Sequence, residues 1–280
     1  MKINYNIKDN IKARDYLLSF YYSSSKIYKL FLEKKISLNG EIINERKELK
    51  NGDILTIDYD EEIDYKPLEK ELDILYEDDY FLIINKPKNI IIHDEDNSLC
   101  NVVANYYKKN NINLNIRFAH RLDKDTTGLI IFVKCPLCLS YLNHFIETHE
   151  IRREYIALVN GKLNNKKGTI DLPIGEDRHI SNKKRVSKTG KRAVTHYEVL
   201  EENNNYSKVK ILLETGRTHQ IRCHFSHIGH PLIGDELYGD KSKLSNRYLL
   251  HSYKVSFVHP ITNEKIEVEA KLPSDFKIGK

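Results

Sequence analysis

The sequence has 280 residues, 40% of them hydrophobic and 30% charged, with four cysteines. These values are typical of a soluble globular protein and exclude a disulfide-stabilised fold. No apolar stretch approaches the roughly 18 residues that span a bilayer, and the residues after Met1 lack the apolar region of a secretory signal, so we expect a cytoplasmic protein. The net charge of +5 is by itself only a weak indication of a nucleic-acid partner.

The first sixty residues are predicted to form a small unit of two helices and two turns. Helical spacing over residues 11–22 predicts one helix, and the serines at 23–25 end it and cap a second helix with Lys26 and Lys29 on its polar faces. A hairpin turn at 39–40 and a turn at 51–53 follow. Segments 36–40 and 50–55 resemble the S4 RNA-binding module, which implies that residues 1–60 bind RNA. A helical cap without a ligand is the alternative.

An acidic segment connects this unit to the rest of the chain. Residues 58–73 are rich in Asp and Glu and contain Pro67, which predicts a linker over residues 61–72. Because like charges repel, we expect the linker to hold the N-terminal unit away from the main body.

The body, residues 73–280, is predicted to be an α+β domain with a largely antiparallel mixed sheet flanked by helices and loops. Strand–turn–strand order dominates over regular alternation of strands and helices. The predicted strands are 80–84, 129–133, 155–159, 193–200, 208–214, 253–258 and 265–270, and the predicted helices are 101–108, 137–149 and 219–228.

A basic segment at residues 178–192 contains no acidic residue. It includes Lys183, Lys184, Arg185 and Lys188, and a loop of this kind suits a phosphate backbone. A solvated charged loop is the alternative interpretation.

The most informative stretch is the aspartate loop, residues 120–128. It places Asp123 between Arg121 and a Thr-Thr-Gly turn, directly before the buried strand at 129–133, where catalytic groups are often displayed. Further motifs lie at 84–87, 153–157 and 214–222. In order and spacing these segments resemble the RluA-type pseudouridine synthases over roughly residues 72–273. Asn89 stands where that family usually has glycine, and asparagine tolerates the left-handed backbone conformation that glycine often adopts. Asp94 stands where proline is common in the family.

The resemblance implies isomerisation of uridine to pseudouridine in RNA without a cofactor or a metal. Asp123 would act as the nucleophile or as a base on the sugar, paired with Arg222. Tyr155 would stack on the base and handle its C5 proton, and Arg121 would fill the space left by the extruded nucleotide. His120 and Thr127 would shape the RNA-binding loop, and Arg217 would support Arg222 or contact phosphate.

Other functions remain open at this point. Large-subunit ribosomal RNA is the favoured substrate and transfer RNA the alternative, and we expect a monomer without an obligate protein partner. A non-catalytic RNA-binding or ribosome-assembly protein would explain the basic residues but not the combination of Asp123, Tyr155 and Arg222. A glycosidase or nuclease would need a second acid, for which only Asp125 is near. Cys135 and Cys138, and the histidines at 224, 227 and 230, lack the pattern of a metal site.

Overall fold

The computed structural model describes residues 1–94, 96–241 and 244–276. Its strands, in chain order β1 to β17, are Lys2–Asn6, Ile11–Lys12, Ile36–Leu38, Glu41–Ile42, Glu48–Leu49, Ile54–Asp58, Ile74–Glu77, Phe81–Lys86, Thr127–Val133, Arg152–Asn160, Lys167–Asp171, Ile174–Glu176, Lys184–Val186, Val194–Glu202, Tyr206–Leu213, Leu250–Val258 and Lys265–Glu269. Its helices, α1 to α5, are Ala13–Leu18, Ser24–Leu32, Leu99–Lys109, Pro136–Glu147 and Gln220–His227. Within these described ranges no helix is long and apolar enough to cross a membrane.

The N-terminal unit is a sheet in the order β1-β6-β3-β4, with α1 and α2 beside it. The predicted cap is present, because the Ser23 side chain accepts a hydrogen bond from the Lys26 N–H. The predicted hairpin turn is present as well, with Asn39 and Gly40 both at positive φ. The first helix is shorter than predicted, since residues 11 and 12 pair with β5 as a strand.

The acidic segment lies against the body, so the prediction that it keeps the N-terminal unit at a distance is wrong. Glu61 forms an ion pair with Arg117, and Asp64 accepts a hydrogen bond of 2.8 Å from the Ile116 N–H. Glu69 pairs with Lys109 at 2.6 Å. Basic side chains of the body therefore neutralise the repulsion that would have extended the segment.

The N-terminal unit also packs directly on the body. The Tyr5 hydroxyl lies 3.0 Å from Cys135 Sγ, and the Tyr21 ring stacks on His144 with 3.5 Å between ring centroids. The buried apolar residues of both parts form one continuous core.

The body is built on one large sheet, which confirms the predicted α+β class. Over the residues that the structure describes, the sheet has nine strands in the order β11-β14-β15-β10-β16-β9-β8-β7, and β17 pairs with β16. All neighbours are antiparallel except β9 and β16, which are parallel. The predicted strands and helices of the body are all found, with bounds shifted by a few residues.

The parallel contact between β9 and β16 is made by the last two residues of the aspartate loop, Thr127 and Gly128. Gly128 adopts a φ of +102°, and a Cβ atom at this position would lie 2.2 Å from the carbonyl oxygen of Ser252. Only glycine allows the two backbones to approach this closely. The Thr-Thr-Gly turn thus sets the position of the aspartate loop against β16.

The basic segment is more ordered than the predicted loop. Residues 184–186 form β13, which pairs with β12 as a two-stranded sheet. Lys184 forms an ion pair with Glu176 on the opposite strand, whereas Arg185 and Lys188 are exposed. The hairpin therefore presents a shaped basic surface.

Candidate active site

A cleft of about 810 Å³ lies at the end of the sheet where the aspartate loop enters β9. The aspartate loop forms one wall, and the segment that leads from β15 into α5 forms another. Asp123, Tyr155 and Arg222 all line this cleft, together with Arg121, His120 and Arg217. The fold therefore brings together residues that are up to about one hundred positions apart in the sequence.

A chain of charges runs from the cleft into the protein interior. Arg222 Nη1 donates a hydrogen bond of 3.2 Å to Asp123 Oδ2. On its other side Arg222 donates to both carboxylate oxygens of Asp235, at 2.7 and 3.0 Å. Asp235 is almost fully buried, whereas Asp123 is partly open to the cleft. A two-point contact fixes the orientation of a guanidinium, so Asp235 holds Arg222 in the position from which it meets Asp123.

Two aromatic rings enclose the guanidinium of Arg222. Its Cζ lies 4.0 Å from the centroid of the Tyr248 ring and 5.0 Å from that of Tyr238. Burial opposes the charge, but the hydrogen bonds and the charge of Asp235 outweigh it and raise the pKa of Arg222 above its ordinary value. Arg222 is therefore a fixed cation beside Asp123.

The backbone of the aspartate loop is held by groups from outside the loop. The fully buried Lys86 donates to the carbonyl oxygen of Lys124 at 2.8 Å. Arg247 donates to the carbonyl oxygen of Asp125 at 2.9 Å, and the Tyr248 hydroxyl accepts from the Asp125 N–H at 3.1 Å. Such contacts on both sides of a short loop restrict its motion, which keeps the Asp123 carboxylate in one place.

Lys86 is a lysine in an unusual environment. Burial lowers the pKa of its ammonium group to about 7, although the charges of Asp125 and Asp123 act in the opposite direction. It donates to a second carbonyl oxygen, that of Pro87, at 3.0 Å. Its amine can serve both carbonyls in either protonation state.

Tyr155 and His120 line the cleft as neutral groups. Burial raises the pKa of the Tyr155 hydroxyl above its ordinary value, so this hydroxyl keeps its proton at neutral pH. Burial and the nearby charge of Arg153 lower the pKa of His120 to about 3. Among the described residues, no side chain or backbone group forms a hydrogen bond with either ring nitrogen of His120. His120 therefore contributes a neutral ring to the cleft wall.

The other residues predicted for RNA binding have different places. Arg121 is exposed, with its Nη1 3.5 Å from His93 Nε2. Thr127 is buried below the cleft and hydrogen-bonds His251 Nδ1 at 2.8 Å, and Arg217 donates to the Arg192 carbonyl oxygen at 3.0 Å. Thr127 therefore has a structural position, while Arg121 is available to a ligand.

The predicted lysines divide between two surfaces. Lys184 lines the cleft itself, and Lys183 lies with its Nζ 5.3 Å from the ring centroid of Tyr238. Lys26 and Lys29 lie on α2 of the N-terminal unit and do not line the cleft. The cleft and the N-terminal unit are thus separate basic surfaces.

Sequence reasoning did not assign a role to Asp235, Tyr248, Lys86 or Arg247. Lys86 does stand in a motif that carries the family resemblance, and a charged residue within such a motif was the available signal. Tyr248 and Arg247 precede β16 and carried no recognisable pattern. His219, whose Nε2 lies 3.7 Å from Asp123 Oδ2, is a further neighbour of the carboxylate.

Cys135, Cys138 and His224, which were weighed as metal ligands, are buried and serve the packing. Cys135 is the N-cap of α4 and its sulfur accepts a hydrogen bond from the Cys138 N–H. His224 uses both ring nitrogens on Thr195 and the Leu172 carbonyl oxygen, each at 2.9 Å. In the described part of the chain, no group of three or more His, Cys, Asp and Glu side chains is placed to hold a metal ion.

Comparison with known proteins identifies the class to which this cleft belongs. Residues 80–227 match the family model described as RNA pseudouridylate synthase. The chain is 45% identical over 252 residues to the uncharacterized RNA pseudouridine synthase YhcT of Bacillus subtilis (strain 168), covering 87% of this chain and 83% of that protein. It is 35% identical over 275 residues to ribosomal large subunit pseudouridine synthase D of Yersinia pestis, covering 91% and 84%.

Solved structures agree with this match. The structure of human RNA pseudouridylate synthase domain containing 1 superimposes with a TM-score of 0.62 at 26% sequence identity, over 74% of this chain and 86% of that one. Sequence and fold point to one class, and the chain belongs to the RNA pseudouridylate synthase family, as its resemblance to the RluA-type enzymes predicts.

Proposed function

We propose that this RNA pseudouridine synthase modifies uridine in large-subunit ribosomal RNA and that Asp123 is its reacting carboxylate. The observation that carries the proposal is the Asp123 carboxylate in the cleft, 3.2 Å from a guanidinium that the buried Asp235 fixes in turn. A purely RNA-binding surface has no use for a carboxylate, which repels phosphate. The proposal therefore favours catalysis over binding alone.

The isomerisation begins with the breaking of the bond between the sugar C1′ and the base N1. The Asp123 carboxylate either attacks the sugar or removes a proton from it, and both routes require an ionised carboxylate in a site that is largely shielded from water. Arg222 places a fixed positive charge 3.2 Å from this carboxylate, as its counter-ion in the partly buried cleft. The base then turns and rejoins the sugar through C5.

Tyr155 is suited to the last step of the reaction. Formation of the C1′–C5 bond leaves a hydrogen on C5 that must depart as a proton, while N1 takes up a proton. Tyr155 lines the cleft in its neutral form. Its ring provides a stacking surface for uracil, and its hydroxyl can take part in the proton transfer.

Arg121 is suited to opening the RNA. Its guanidinium lies on the exposed rim of the cleft, and the contact with His93 at 3.5 Å is a weak one. A uridine must leave the stack before Asp123 can reach its sugar, and a long planar cation can occupy the vacated space. Arg121 lines the cleft and combines this shape with exposure.

The proposed RNA class rests on the names of the relatives and on the two basic surfaces. Ribosomal large subunit pseudouridine synthase D of Yersinia pestis aligns with 91% of the chain. We propose that this unit, residues 1–60, binds structured RNA through Lys26 and Lys29, and that Lys183, Arg185 and Lys188 contact the backbone beside the cleft. The acidic residues 61–72 join the two parts.

The test is release of tritium from RNA labelled at uridine C5, using transcripts of large-subunit ribosomal RNA and of transfer RNAs. The wild-type protein should release tritium from a ribosomal transcript, because the new C–C bond expels the C5 hydrogen. Asp123→Ala should release none while binding RNA with nearly unchanged affinity.

Asp125→Asn is the matched control, because it makes a similar change in charge in the same loop. Asp125 does not line the cleft, so this variant should keep most of the activity. An equal loss of activity in both variants would point to a reaction that uses two carboxylates. Tritium release from transfer RNA alone would correct the proposed substrate. Turnover by Asp123→Ala would refute the role of Asp123.

A further inference from the structure

Three arginines are buried in the described part of the chain, and they are not held alike. Arg222 donates to both oxygens of Asp235, and Arg247 donates to both oxygens of Asp275, at 2.8 and 2.9 Å. Arg153 is only 4% exposed, yet among the described residues it has no carboxylate within ion-pair distance and its Nε has no hydrogen-bond partner. Arg153 is therefore a buried cation that the folded chain leaves without a counter-ion.

Arg153 lies in the wall of the active-site cleft. It precedes Tyr155 by two positions on β10, and side chains two positions apart point to the same face of a strand. Both residues line the cleft. The unpaired guanidinium therefore lies on the same side of the sheet as the group proposed to handle the base.

Gly216 lies against the guanidinium of Arg153. A Cβ atom on Gly216 would lie 3.1 Å from Arg153 Nη1, closer than most side-chain contacts. The neighbouring His120 is neutral and supplies no negative charge. The cleft wall thus surrounds a cation that has no counter-ion among the described residues.

A buried charge without a partner is strongly unfavourable, and proteins retain one where a ligand supplies the opposite charge. The reacting base and ribose are neutral, so the anionic groups that RNA brings to the cleft are its phosphates. We propose that Arg153 binds a backbone phosphate adjacent to the target uridine and so holds the RNA strand in the cleft. This inference rests on the proposed function, because it assumes an RNA strand in the cleft.

The first test compares Arg153→Gln with wild type on the transcript that releases tritium. Loss of one phosphate contact should raise KM about tenfold and reduce the slope of log KM against log salt by about 0.7 to 0.9, with kcat at saturating RNA within about threefold.

Arg152→Gln is the matched control, because Arg152 is the neighbouring cation on the same strand, is exposed, and pairs with Glu154 at 2.7 Å. It should leave KM and the salt slope unchanged. An unchanged KM and salt slope for Arg153→Gln, or equal changes in the two variants, would overturn the inference.

The second test measures thermal stability without RNA, where a structural role and a binding role predict opposite results. If Arg153 serves RNA, then Arg153→Met removes an unpaired buried charge and should leave Tm unchanged or raise it. Arg247→Met should lower Tm, because it leaves Asp275 without its partner. A drop in Tm for Arg153→Met as large as that for Arg247→Met would overturn the binding role.

The two proposals fail in different ways. If the wild-type protein binds the ribosomal transcript but releases no tritium, the proposed function fails, and the Arg153 inference is judged by the same variants with the RNA dissociation constant in place of KM. A wild-type protein that binds none of the transcripts overturns both. The last test uses a transcript with a neutral methylphosphonate beside the target uridine. Wild type should bind it more weakly than the unmodified transcript, whereas Arg153→Gln should bind both transcripts equally well. This result would identify the phosphate as the partner of Arg153.

Discussion

Asp235→Asn tests the chain of charges that positions Arg222. The substitution keeps the size of the side chain, removes its charge, and places an NH2 group where an oxygen now accepts from Arg222. The carboxylate accepts at 2.7 and 3.0 Å, and the side chain is almost fully buried. One of the two hydrogen bonds is lost, and two donors face each other.

The magnitude follows from the burial of the pair. Breaking a buried ion pair by removing one partner destabilises a protein by about 3 to 5 kcal/mol. Because asparagine keeps one acceptor, we expect the lower end, about 3 kcal/mol, which lowers Tm by about 6 to 12 °C for a chain of this size. The guanidinium then loses its orientation, and a displacement of about 1 Å at a reacting centre lowers kcat roughly a hundredfold.

The assay combines tritium release with thermal unfolding. KM should stay near the wild-type value, because Asp235 does not line the cleft. Glu61→Gln is the control, since it breaks the Glu61–Arg117 ion pair, whose side chains are 18% and 15% exposed, outside the cleft. It should lower Tm without lowering kcat. If Asp235→Asn loses stability but keeps kcat within twofold, the idea that Asp235 positions Arg222 for catalysis is wrong.

Three further predictions concern the loop and the N-terminal unit. Gly128→Ala should lower the free energy of unfolding by about 3 kcal/mol or more in urea titrations, since it adds a clash with Ser252 to a strained φ; wild-type stability would contradict this. The pKa of Lys86 is about 7 in the folded protein and about 10.4 in the unfolded chain, so the folded state binds fewer protons above pH 7. The free energy of unfolding of the wild type should therefore rise relative to that of Lys86→Met by about 2 kcal/mol from pH 7 to 9. A difference that does not change with pH would refute the lowered pKa. Replacing Lys26 and Lys29 by Gln should reduce the salt slope of RNA binding by about 1.4 to 1.8; an unchanged slope would exclude α2 from the interface.

Local patterns in the sequence were sufficient for the elements that frame the cleft. The apolar run after Gly128 predicted β9, and Asn39-Gly40 predicted a hairpin that is present. Asn89 was expected to tolerate a left-handed backbone, and it has a φ of 61°. These features depend on residues that are neighbours in the sequence, so they can be recognised without the fold.

Features that depend on distant partners could not be predicted in this way. The acidic segment suggested an extended linker because Arg117 and Lys109, which neutralise it, lie 56 and 40 positions further along the chain from Glu61 and Glu69. The sequence likewise could not predict that Asp235 pairs with Arg222, or that Arg153 has no counter-ion among the described residues. Periodicity indicates which residues are buried, and only the assembled fold shows which charges meet.

The position of β16 between β9 and β10 has a consequence for the newly made protein. The aspartate loop is synthesised more than one hundred residues before β16, yet Gly128 pairs with Ser252 of that strand, and Arg247 and Tyr248 hold the loop from the residues just before it. A chain still attached to a translating ribosome has Asp123 but not the strand that fixes it. We therefore expect the aspartate loop to reach its final position only after β16 has been made, late in the synthesis of the chain.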